Sequence, residues 1–151
     1  MRPRLTGQHD AALVDLTRAV ELSPDNGWAH YERAVALHAL HNPDGEQVLV
    51  RAVEVLEALR VSSEALPHVV PALGNLFLAH CLMSHRDKTD YYLAAFLDAQ
   101  PAPGQLSELL IAMNTLVSMR PSMDEFLTPF RRLLADALTD AAGRYAAAPP
   151  R

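Results

Sequence analysis

Apolar residues recur every three to four positions along most of this chain, and polar breakers divide the pattern into segments of helical length. Ala12, Leu13, Leu16, Ala19 and Val20 form the first stripe, which predicts a helix over His9–Leu22. Residues 1–6 read as short and polar, and a glycine turn at Gly7 opens the helix. Ser23-Pro24-Asp25-Asn26 closes it, because Pro24 cannot continue a helix and Asp25 or Asn26 can cap the next one. A second helix is expected over Gly27–Leu40, broken by Asn42-Pro43-Asp44-Gly45. Asp44 is a candidate N-cap there, with Gln47 spaced to complete a capping box. A third helix runs from Glu46 to about Arg60.

The pattern loosens beyond that point. Ser62-Ser63, Pro67 and Pro71 predict a longer connection or a distorted first turn over Val61–Pro71. Ala72–Met83 is apolar nearly all round (Leu73, Leu76, Phe77, Leu78, Leu82), as suits a helix covered on several sides. Asp87–Ala99 is its expected partner, with Tyr92, Leu93, Phe96 and Leu97 inward and Gln100-Pro101 closing it. Leu106, Leu109, Leu110, Met113, Leu116 and Val117 make a further stripe, stopped by Pro121. The last stripe is the most regular: Met123, Phe126, Leu127, Phe130, Leu133, Leu134, Ala137, Leu138 and Ala141. Two starts fit it. Ser122 with Glu125 reads as a capping box on a helix that bends at Pro129, whereas Thr128-Pro129 reads as a cap and first-turn proline after a short separate helix. Arg131, Arg132, Asp136, Asp140 and Arg144 mark its solvated face, and residues 146–151 are expected to be a disordered tail.

Gly7, Ala12, Leu16, Ala19, Pro24 and Asn26 fall in order on the pattern of the second helix of a tetratricopeptide repeat (TPR), which this stretch resembles. Arg51-Ala52-Val53-Glu54-Val55 echoes Arg18-Ala19-Val20-Glu21-Leu22 at an offset of 33 residues, close to the family period of about 34. Ala34 stands where the family keeps a small residue at a close helix crossing. The resemblance implies an all-α fold, a short right-handed solenoid of about seven antiparallel helices. It implies a single domain over 1–145. Residues 7–26 would be the second helix of an incomplete repeat, 27–60 a repeat, 72–101 a divergent repeat and 105–145 capping helices. The apolar face of the leading helix is then expected to lack its natural neighbour, an arrangement a partner, a second copy or further upstream chain would resolve.

The same resemblance implies a non-enzymatic scaffold for a protein or peptide partner. Trp28, Tyr31, Val35 and His38 fall at the groove-facing positions of the second helix. Relatives that clamp a terminal carboxylate place Lys, Asn and Arg there; this sequence does not, so an apolar and aromatic groove is expected. Leu13 and Leu16 of the first helix complete the expected partner-binding set, with self-association through that helix as one outcome. The alternative is a C-terminal regulatory or sensor segment of a larger signalling enzyme.

Composition narrows the classes further. Half of the residues are hydrophobic but only 6% are aromatic, which favours closely packed helices over a sheet. The net charge is -5, Lys88 is the sole lysine among 13 basic residues, and the arginines are scattered, so nucleic acid is not an expected partner. No run approaches the length of a membrane span and no secretory core is visible, so a cytoplasmic place is expected. His38 with His41, and His80 with Cys81 and His85, fall short of a four-ligand zinc set; they read as solvated or core residues, and no cofactor is expected. No phosphate loop, dinucleotide fingerprint, zinc-protease or nucleophile-elbow motif is present, and the pairs Asp124/Glu125 and Asp136/Asp140 read as surface charges.

Overall fold

Proline placement and local capping decide where the helices of this chain start and stop. The computed structural model describes residues 3–62 and 66–147, with side chains over 7–61 and 69–144. Among the described residues the fold is all-α, without a strand. Its helices are α1 Pro3–Leu22, α2 Gly27–Ala39, α3 Gly45–Ser62, α4 Leu66–Leu82, α5 Arg86–Asp98, α6 Pro103–Met119 and α7 Asp124–Ala147, with a 3-10 turn at Pro121–Met123. The chain divides into two compact units, Met1–Ala79 and His80–Arg151.

In the first unit α2 packs on both α1 and α3. Asn26 is the N-cap of α2, accepting from the Ala29 N–H at 3.1 Å, so the first half of the expected cap alternatives is excluded in favour of the second. Asp44 precedes α3 and its carbonyl accepts the Val48 N–H at 3.1 Å. Its own N–H donates to Asn42 Oδ1 at 2.9 Å, the bond that a capping box would have given to Gln47. The interior between these helices pairs small with large residues: Ala29, Ala34 and Ala52 are fully buried beside Leu49 and Leu56. A Cβ on Gly27 would stand 2.5 Å from Leu56 Cδ2, and one on Gly45 would stand 3.2 Å from His38 Cδ2. A side chain at Gly27 would have to displace the Leu56 side chain, and one at Gly45 would press on the His38 ring.

In the second unit α6 packs on α7 and on the 3-10 turn. Leu106, Leu109, Met113 and Leu116 of α6 are buried, as are Met123, Leu127, Phe130, Leu134 and Ala141 along the last stripe. Tyr92, Leu93 and Phe96 line the buried side of α5. Arg86 at the start of α5 lays its guanidinium over Phe126 and Phe130, 4.9 and 5.5 Å from the ring centres. Arg120 closes α6 and donates from Nη1 to the Leu82 carbonyl at 3.2 Å.

Three helix ends place a non-glycine residue in the left-handed region: His41 (φ 54), Ser84 (φ 56) and Gln100 (φ 54). After α2 the His41 N–H donates to His38 O and the Asn42 N–H to Leu37 O. After α4 the Ser84 and His85 N–H groups donate to Cys81 O and His80 O in the same pattern. These pairs satisfy carbonyls that the helix itself leaves open. At Gln100 the next residue is Pro101, which has no N–H, and a single bond from Gln100 to Leu97 O remains.

Several boundaries depart from the sequence expectation. Helix one begins at Pro3, not His9, and Gly7 lies within it with nothing within 4 Å of an added Cβ. Proline is well placed in a first helical turn, and a helix absorbs an interior glycine at about 1 kcal/mol. Helix four likewise starts at Leu66, so that Pro67 and Pro71 are helical and Val61–Pro71 is not one long connection; Ser63–Ala65 lie outside the described residues. Of the two starts weighed for the last helix, the structure takes the continuous one, with Pro129 inside α7. Thr128 caps nothing there: its hydroxyl donates to Asp124 O at 2.7 Å. Leu133, expected inward, is 51% exposed, and Leu97 is half-buried. Residues 146 and 147 are helical, and 148–151 lie outside the described residues.

Two outcomes follow for chemical denaturation. Gly27→Val forces Leu56 aside and is expected to destabilise by about 1–3 kcal/mol through overpacking. Gln100→Gly relieves a left-handed side chain and is expected to stabilise by roughly 0.5–1 kcal/mol. An unchanged urea midpoint in either variant would contradict the geometry.

Candidate protein-interaction surface

The residues singled out on α1 and α2 divide between surface and interior. On α1, Ala12, Leu13, Leu16, Ala19 and Val20 are all half-buried, and none of its described side chains is fully buried. Val14 and Leu22 are 70% and 74% exposed on the same helix. The repeat echo supplies an internal reference. Thirty-three positions on, Leu16 corresponds to Leu49 and Ala19 to Ala52, and both of these α3 residues have no exposed surface. One sequence pattern is thus sealed in α3 and half open in α1.

On α2 the expected groove stripe is split by burial. Trp28 is 54% exposed, Tyr31 only 3%. Val35 is half-buried. His38 is also half-buried, packs over Gly45 and brings Nε2 to 3.8 Å from Glu46 Oε2. Trp28, Val35 and His38 therefore remain at the surface to some degree, and Tyr31 belongs to the core. Glu32, on the same helix, has its carboxyl pushed above the usual range by burial.

A cleft of 440 Å3 lies beside this region, between the Pro24–Asp25 turn and the α3 face carrying Arg51, Glu54, Val55 and Leu59. Its rim charge is largely internal, since Arg51 Nη1 donates to Glu54 Oε2 at 3.1 Å. The turn is held from beneath by His30, a residue the sequence does not single out. His30 is 5% exposed, and its Nε2–H donates to the Pro24 carbonyl at 2.7 Å. Its signal is weak in the sequence, where it is one histidine of seven; only its place between Ala29 and Tyr31 marks it as buried.

Among the described residues no group of three or more His, Cys, Asp or Glu converges on a metal position. Cys81 is fully buried, and burial pushes its thiol well above the ordinary range despite a hydrogen bond with Thr89. His80 and His85 do meet, whereas His41 is exposed at a helix end. Asp124 pairs with Arg131, and Asp136 and Asp140 face solvent on α7.

Removing the loop clamp should be measurable: His30→Ala deletes a buried hydrogen bond and side-chain volume, with an expected loss of about 2–3 kcal/mol. A loss under 0.5 kcal/mol in urea unfolding would show that the Pro24 carbonyl is held by something else.

No helix among the described residues is long and apolar enough to cross a membrane. No curated protein and no solved structure matches the chain. A family model described as TPR repeat matches residues 4–40, which covers α1, the clamped turn and α2. The matched stretch is about a quarter of the chain, and a TPR repeat suggests a protein–protein interaction module.

Proposed function

We propose that this protein is a non-enzymatic, cytoplasmic adaptor that binds a protein partner along the half-open face of α1, with Trp28, Val35 and His38 of α2 at its edge. The observation that carries the reading is the contrast between Leu16 and Ala19, half-buried, and their repeat equivalents Leu49 and Ala52, fully buried. A partner helix or extended segment lying on α1 would complete the burial that α3 already has. Sealing a Leu or Val side chain contributes about 1.5–3 kcal/mol, so Leu13, Leu16 and Val20 together offer several kcal/mol before association costs. The charged residues Asp10, Asp15, Arg18 and Glu21 are exposed on the same helix and surround the face with a polar rim. Both units belong to the same module in this reading, the second without a binding role of its own.

The test is capture with the intact chain against a Leu13→Asp/Leu16→Asp variant. These side chains are half-buried, so the variant is expected to stay folded by circular dichroism and to lose the bound partner at least tenfold. Undiminished capture by a folded variant would exclude α1 as the docking face. Sedimentation of the pure protein separates self-association from a foreign partner: a dimer abolished by the same substitutions assigns the face to a second copy.

A further inference from the structure

At the turn between α4 and α5 two imidazoles face each other nitrogen to nitrogen. His80 Nδ1 lies 3.3 Å from His85 Nδ1, with the ring centres 5.5 Å apart. His80 is 6% exposed and stacks on Tyr92 at 5.2 Å, whereas His85 is exposed and stands at the N-cap of α5. A contact between two ring nitrogens needs one N–H and one lone pair. The pair therefore survives with both rings neutral, and it survives with one of them charged, since an imidazolium still donates to a neutral neighbour. It fails only when both are protonated, because two donors and two cations then face each other at hydrogen-bonding distance.

The surroundings give the second proton no relief. From α5 the charged group facing His80 is Lys88, and the ring against it is Tyr92. From α6 Arg120 reaches the same helix end and donates to Leu82 O. The carbonyl end of α4 would ordinarily favour a cation, but His80 O and Cys81 O already accept from His85 and Ser84. Burial, then His85 and Lys88, push His80 down to about 4. The same positive surroundings argue against a metal bridge between the two nitrogens, for which no third protein ligand converges among the described residues.

We propose that His80 and His85 act as an acid-sensitive latch on the α4–α5 turn, closed while at most one of the rings is charged and released when both are. The turn is where release acts, because His85 also supplies the carbonyl that accepts from Thr89 Oγ1 at 2.8 Å and from the Thr89 N–H at 2.9 Å. Thr89 is fully buried, so displacing His85 takes both of these bonds from the buried start of α5. The sign follows from the depressed value. The unfolded chain takes up a proton at His80 near 6.5 and the folded chain only near 4, so stability is intact above 6.5 and falls as pH drops between these values.

The full chain tests this by urea unfolding at pH 6.5 and 5.0 beside His80→Phe, which keeps a ring on Tyr92 and removes the proton. Over that interval the wild-type unfolding constant is expected to rise about tenfold more than that of the variant. Parallel profiles would overturn the latch. Release itself, which needs the second proton in the folded chain, is read by NMR titration of the wild-type protein. The His80 ring signals are expected to titrate below pH 5, with the Ser84, His85 and Thr89 amides moving at the same midpoint. A His80 midpoint near 6.5, or amides that stay still through it, would refute the proposal.

Discussion

The close approach of α2 to α3 at Gly27 is the constraint on which the first unit depends. Leu56 occupies the space a Cβ would need, so the Leu56 side chain packs directly on the Gly27 backbone. Ala34 and Ala52 extend the same condition along the pair, each without exposed surface, while Leu49 and Leu56 fill the room that small residues leave. Because α2 is also the helix on which α1 packs, fixing α2 against α3 fixes the platform for α1. The Asn26 cap and the His30 bond to Pro24 then set how the chain leaves α1 and enters α2. Packing determines the spacing, and two local hydrogen bonds determine the turn.

In the second unit polar groups at helix ends take a larger part. The α4 end directs its carbonyls to the adjacent Ser84 and His85 N–H groups and to Arg120, a side chain 38 residues beyond Leu82. Thr89, fully buried one turn into α5, returns its hydroxyl to His85 O instead of leaving it unpaired. Left-handed residues at His41, Ser84 and Gln100 are held by this bonding although none is glycine, which locates a modest conformational cost at each chain reversal. That cost is offset by carbonyls that would otherwise face the interior without donors.

Much of this was legible in the chain itself, and for identifiable reasons. Stripes such as Leu106–Leu109–Met113–Leu116 follow a 3.6-residue period because one side of the helix is buried, so burial writes itself into spacing. Asn26 was readable as a cap since its bond is local. What the period cannot give is the edge of the buried side. Trp28 and Tyr31 lie about 60° apart around α2, and the boundary passes between them; Leu133 sits on the last stripe yet outside the seam. Gly7 and Pro71 misled as breakers, because a helix tolerates one unfavourable residue when its neighbours sustain it. His30 was invisible as a partner of Pro24, and the His80–His85 grouping was visible without its direct contact, since both contacts depend on turn geometry six and five residues along.

The two copies of the repeat pattern show why a single face stands out. Leu16 and Leu49 have the same side chain, the same helical context and the same alanine three residues on, so their intrinsic preference for burial is equal. Their different exposure, half-buried against fully buried, is set by packing and not by the side chains themselves. An aliphatic face of Ala, Leu and Val offers area but little geometric discrimination, because it has no hydrogen-bonding group to leave unpaired by a wrong partner. Selectivity on such a surface falls to its margin. Exposed Asp10, Asp15, Arg18 and Glu21 can reject like charge, and Trp28 supplies a large rigid side chain with one donor, the residue type that most often anchors an interface. On the proposed reading, the affinity of α1 for a partner and the choice of that partner rest on different residues.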